Sequence, residues 1–97
     1  MSMTPSQKKH LAALTEHTNR YGMGPTRDEL GEAVYGGRKG VAPSVTRAVN
    51  ALEGLGYVQV HADVNRGGID IYSPTDAGRE ALAASGAAGG ADTEEEG

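Results

Sequence analysis

Cysteine, phenylalanine and tryptophan are all missing from this chain of 97 residues. The lack of cysteine excludes disulfides and thiolate metal sites, and it is compatible with a reducing compartment. Without Phe or Trp, the core has to be assembled from Leu, Val, Ile, Ala and some of the four tyrosines. Long apolar runs are lacking too. Nothing approaches a membrane span or a signal-peptide core, so a soluble, cytoplasmic protein is expected. An excess of positive charge is also missing, since the formal net charge is −4.

The position of that charge matters more than its sum. Asp92, Glu94, Glu95 and Glu96 lie together near the end. Setting those aside leaves nine acids against nine bases, a neutral body. A neutral body can bind nucleic acid where its bases share one face. The length suits one domain. Residues 4–84 are expected to form it, with 85–97 a disordered acidic tail, because small residues and an acid run cannot bury enough apolar surface to fold. About 80 residues is a marginal size for a monomeric core, which leaves room for help from a second subunit.

What the chain does contain is a regular succession of starts and stops. Thr4-Pro5-Ser6-Gln7 reads as a capped helix start, with Pro5 in the first turn and Gln7 closing a capping box. Leu11, Leu14, Thr18 and Tyr21 then share one helical face. After Gly22-Met23-Gly24-Pro25, a second box pairs Thr26 with Glu29. Leu30, Ala33 and Val34 form its apolar stripe, and Gly36-Gly37 stops it. A third helix is predicted from Pro43 or Ser44 to Gly56, with Val45, Ala48, Val49, Leu52 and Leu55 inward. Thr46, Arg47 and Asn50 fall on its other side.

Two alternating stretches follow. Tyr57–His61 and Ile69–Tyr72 read as strands, with Val58, Val60, Ile69 and Ile71 inward. Asp63–Gly68 is the hairpin loop between them. Ser73-Pro74-Thr75-Asp76 opens a fourth helix, whose apolar face is Ala77, Ala81 and Leu82 and which Gly78 weakens. The predicted fold is mainly α with a small β-hairpin, in the order α-α-α-β-β-α.

This order resembles the winged helix-turn-helix DNA-binding superfamily over nearly all of residues 4–84. Tyr21-Gly22-Met23-Gly24-Pro25-Thr26-Arg27-Asp28-Glu29-Leu30 is similar to the lead-in to the second helix of LexA-type SOS repressors. Leu52-Glu53-Gly54-Leu55-Gly56-Tyr57-Val58 resembles the junction between recognition helix and strand in MarR-like regulators. Ser73-Pro74-Thr75-Asp76-Ala77-Gly78-Arg79 resembles the segment after the wing in that second group. The loop before the third helix is longer and richer in glycine than in either.

The resemblance implies that the third helix enters the major groove. Ser44, Thr46, Arg47 and Asn50 are then the residues free to reach base edges, Arg and Asn having paired groups that match guanine and adenine. A solvated helix face would carry similar residues. Arg38 and Lys39, flanked by glycines, suit contact with phosphates. Arg27 begins the second helix, which often crosses the backbone in this fold. Asn65 and Arg66 sit at the wing tip. The turn alone explains the adjacent glycines, so Arg66 is the informative residue, suited to a narrow minor groove.

Metal ligation is not expected, because His10, His17 and His61 lack ligand spacing. No nucleophile–base pair or phosphate loop stands out, so neither an enzyme nor a cofactor or small-molecule site is expected. The implied function is sequence-specific binding of double-stranded DNA by a small transcriptional regulator, as a homodimer. The rivals are a winged helix used for protein docking and an architectural DNA-binding role in recombination.

Overall fold

The structure is a computed structural model and describes residues 3–85. Four helices and one hairpin follow in the predicted order. They are α1 (Pro5–Tyr21), α2 (Arg27–Tyr35), α3 (Ala42–Gly54), β1 (Val58–Asp63), β2 (Ile69–Pro74) and α4 (Asp76–Ala84). Of the expected acidic tail only Ser85 is described, and it ends α4 with its amide donating to the Ala81 carbonyl. Residues 86–97 lie outside the described region.

Both predicted capping boxes form. The Gln7 amide donates to Thr4 Oγ1 and the Thr4 amide to Gln7 Oε1. The same exchange links Thr26 and Glu29 at 3.1 and 2.9 Å. Each box satisfies two amides that a helix start otherwise leaves without partners.

The core is aliphatic, as the missing aromatics require. Leu11 and Leu14 of α1, Leu30 of α2, and Val45, Val49 and Leu52 of α3 form its centre. Val58 and Leu82 close it from the hairpin and α4, with Tyr35, Tyr57 and Tyr72 half-buried against it. His10 is fully buried among these residues. Its Nδ1 donates to the Ser6 carbonyl at 2.7 Å and its ring meets Tyr35 edge-on.

Several predicted inward positions face out instead. Tyr21 is 62% exposed, because α1 runs on past the core by its last turn. Thr15, which the periodicity did not single out, is buried on α1. In α2 it is Gly31, not Ala33, that is buried, since Val41 and Val45 of the next segment lie close against it. Leu55 lies just beyond α3 and is exposed, as is Ala77 at the start of α4. On the hairpin Val58 and Ile71 are buried, Val60 is half-buried and Ile69 is 45% exposed. The expected inward set is split between the two faces: Val58 and Val60 lie opposite Pro74 and Tyr72, while Ile71 and Ile69 lie opposite His61 and Asp63, because the register pairs the strands one residue away from the alignment that alternation alone suggests. β1 also extends two residues past His61, and Asp63 pairs with Ile69 instead of belonging to the loop.

Two glycines mark where backbone meets backbone. A Cβ on Gly24 would overlap the Tyr72 carbonyl, and one on Gly78 would overlap the Tyr57 carbonyl. Nearby, the Tyr72 amide donates to Pro25 O and the Thr75 amide to Tyr57 O, at 2.9 and 3.0 Å. The wing is thus clamped at its base to the start of α2 and to the end of α3. Gly78 costs α4 some helix propensity, as expected, yet no other residue fits there.

Candidate nucleic-acid interface

α3 presents a polar stripe to solvent. Its inward residues are fixed by the core, so at about 100° per residue Thr46, Arg47 and Asn50 fall together on the opposite side. Arg47 and Asn50 are exposed and Thr46 is half-buried. Ser44 is also half-buried, placed toward the edge of this stripe. Glu53 continues the stripe one turn beyond Asn50 and adds an acid at its far end.

Arg27 connects this stripe to its surroundings. Being the first residue of α2, it is aimed by the Thr26–Glu29 capping box. Its Nη1 donates to Thr46 Oγ1 at 3.3 Å. It also lines two shallow depressions. One, of about 240 Å³, is shared with Arg38, Gly37, Gly40 and Val45, between α2 and the start of α3. The other, of about 200 Å³, is shared with Ile69, Asp70 and Tyr72 at the base of the wing. Arg38 and Lys39 are exposed in the turn between α2 and α3. Arg27 and Arg38 thus share the first depression with the acids Asp28 and Glu32, and Arg27 reaches Thr46, on whose side of α3 Arg47 and Asn50 lie; Lys39 follows Arg38 in sequence.

The wing tip behaves differently. Asn65 is exposed, and its amide donates to Asp63 Oδ1 at 3.1 Å. A single 3-10 turn, Val64–Arg66, leads into Gly67 and Gly68, both with positive φ that L side chains rarely adopt. Arg66 does not project freely from this tip. Its Nη2 and Nη1 donate to the Glu29 carboxylate at 3.1 and 3.4 Å. The pair borders a cleft toward α1, lined also by His17, Tyr21, Met23, Glu32 and Ala33. Arg27, Arg38 and the α3 stripe do not line that cleft.

Electrostatics follow this geometry. The amide of Thr26 and then the Arg66 guanidinium hold the Glu29 carboxyl below its usual range. Burial pushes the Tyr72 hydroxyl up, opposed by the positive charge of Arg27 and reinforced by Asp70 and Glu53. Tyr72 and Asp70 were read from sequence only as strand residues. The alternation that identified the strand carries no sign that they flank Arg27, because that proximity comes from folding. Among the described residues no group of three or more His, Cys, Asp or Glu could hold a metal ion. No described helix is long and apolar enough to cross a membrane.

Three packed helices, a clamped hairpin and a returning helix define a winged helix-turn-helix domain. The backbone is similar to a solved structure of a mutant of S. aureus MepR, with a TM-score of 0.71 over 89% of this chain. The two sequences are 22% identical, so the likeness is one of fold, and the chain spans 58% of that structure's length. No protein-family description and no curated protein sequence matches the chain.

Proposed function

We propose that this chain is a small cytoplasmic transcriptional regulator that binds double-stranded DNA sequence-specifically and has no catalytic role. α3 enters the major groove, where Thr46, Arg47 and Asn50 meet base edges and Ser44 contacts the backbone at the margin. Arg27, Arg38 and Lys39 hold phosphates on either side, and Asn65 and Arg66 bring the wing to the adjacent groove. The observation that carries this reading is the convergence of Arg27 and Arg38 beside the outward face of α3. That is the helix this fold inserts into DNA. The fold that the chain shares with MepR supports the same reading.

A single module of this size buries limited surface on DNA, so useful specificity calls for two copies. A homodimer on a two-fold site follows, with α1 and α4 as the candidate contact helices. The test is a salt titration of binding to random-sequence duplex. Affinity should fall steeply with salt, and Arg38→Ala or Lys39→Ala should flatten the slope by about 0.9 per lost phosphate contact. Selection from a random pool should then return one preferred sequence.

A second reading is favoured by one observation. Asp28 and Asp70 stand beside Arg27, so the surface is not uniformly cationic. A protein-docking winged helix would tolerate this. Absence of DNA binding at low salt would favour docking over DNA recognition.

A further inference from the structure

We infer that Glu29 is a latch for the wing. It holds Arg66 away from DNA of arbitrary sequence and releases it only to a groove of strong negative potential. Glu29 thereby acts as a specificity-determining residue. The inference rests on the DNA-binding reading above and assigns a regulation to that same surface.

The geometry separates a fixed half from a movable half. Glu29 is the fixed half. Its Oε1 accepts the Thr26 amide at 2.9 Å, which ties the carboxylate to the first turn of α2. Arg66 is the movable half. It ends a three-residue 3-10 turn, and Gly67 and Gly68 follow it. The bonds that close the tip lie within the wing: Gly68 N to Asp63 O, and Asn65 N to Asp63 Oδ1. The guanidinium holds the carboxylate through two nitrogens, across 37 positions of sequence. Nothing else described ties the tip to α2 through a side chain. Breaking this pair frees the tip while leaving the clamped base, at Tyr72 and Pro25, unchanged.

The energetic balance points the same way. Both partners are 39% exposed, and a pair in that setting is held weakly. A phosphate on ordinary duplex offers Arg66 a similar attraction to the one it already has, so exchange brings no gain. A narrow A·T minor groove focuses a more negative potential and can draw the guanidinium off. The latch therefore subtracts from binding to random DNA more than from binding to a matching site, and so widens the ratio between them.

Glu29→Gln separates the two roles of this side chain. Glutamine still accepts the Thr26 amide in a capping box, so α2 keeps its start, while the charge that holds Arg66 disappears. Binding to a random-sequence duplex is measured against salt for the wild type, Glu29→Gln, Arg66→Ala and the double variant. The latch predicts that Arg66→Ala leaves the wild-type slope unchanged. Glu29→Gln should steepen the slope by about 0.9, one further phosphate, and adding Arg66→Ala should restore it. The latch is overturned if Arg66→Ala alone flattens the slope by that amount, or if Glu29→Gln leaves it unchanged.

A second measurement needs no DNA. Backbone order parameters at residues 64–68 of the free protein should fall in both Glu29→Gln and Arg66→Ala, and order parameters equal to the wild type would overturn the latch. If the wild type binds no duplex at low salt, the DNA-binding reading fails by itself, and the order parameters still decide whether Glu29 restrains the tip.

Discussion

Arg27 and Thr46 lie 19 positions apart in sequence, yet the guanidinium of one donates to the hydroxyl of the other at 3.3 Å. That bond joins the first turn of α2 to the outward face of α3. It also places a cation beside the exposed side of α3. Both side chains are therefore expected to act on DNA as one unit.

A double-mutant cycle measures that unit. Arg27→Ala and Thr46→Val should each weaken duplex binding, and together they should cost less than their sum. The expected coupling is about 0.5 kcal/mol or more, the scale found for residues in direct contact. Additive effects in a binding titration would show that the two act separately.

Gly78 and Gly54 should respond in opposite ways to the same substitution. Gly78→Ala drives a methyl group into the Tyr57 carbonyl, and overpacking of this kind costs about 1–3 kcal/mol. Gly54 closes α3 with open space around it, so Gly54→Ala should stabilise by up to about 1 kcal/mol. Thermal denaturation followed by circular dichroism checks both.

Acid should weaken the attachment of the wing. The Glu29 carboxyl lies below its ordinary value of 4.5 in the folded state, chiefly through the Thr26 amide and then Arg66. A carboxyl lowered by folding adds stability that is complete above its unfolded value and lost as pH falls through the folded one. The charged groups around it are Arg66 from the wing, His17 from α1, and Asp28 and Glu32 on its own helix. The stability difference between wild type and Glu29→Gln should be constant near neutral pH and shrink below about 4.5. Chemical denaturation at stepped pH follows this difference.

The aliphatic centre should be sensitive to truncation. Leu30→Ala removes a fully buried side chain from the junction of α1, α2 and α3. A cost of about 2–5 kcal/mol is expected, enough to unfold much of a domain this small. A folded variant with an unchanged midpoint in urea would contradict the assignment of Leu30 to the core.

The helix starts were legible in the sequence because a capping box is a local device. Thr4 with Gln7, and Thr26 with Glu29, meet within one turn, and four residues suffice to identify each. Burial was less legible. Periodicity put Tyr21 and Leu55 on apolar faces, yet both are exposed. It could not reveal that the core ends before Tyr21 or that Leu55 falls beyond the last helical turn. Gly78 read as a defect in α4 because its purpose is the Tyr57 carbonyl, more than twenty residues earlier in the chain.

The candidate site divides along the same line. Thr46, Arg47 and Asn50 could be placed on one surface from the spacing of Val45, Val49 and Leu52 alone. The proximity of Arg27 to Tyr72 and Asp70 depends on how the hairpin returns, and no short motif encodes it. Arg66 was read as the informative residue of the tip for contact with DNA, whereas the structure pairs it with Glu29, a residue already accounted for as a helix cap. A side chain with one evident role gives no sequence signal for a second.

The glycines at 24 and 78 also bear on ancestry. At each, one stretch of main chain rests directly on another, so any descendant that keeps this clamp must keep both glycines whatever happens to its surface. Such positions are expected to outlast the surface in any chain that keeps this clamp. A pattern pairing Gly24-Pro25-Thr26 with Asp76-Ala77-Gly78 at this separation would serve as a tracer for distant kin.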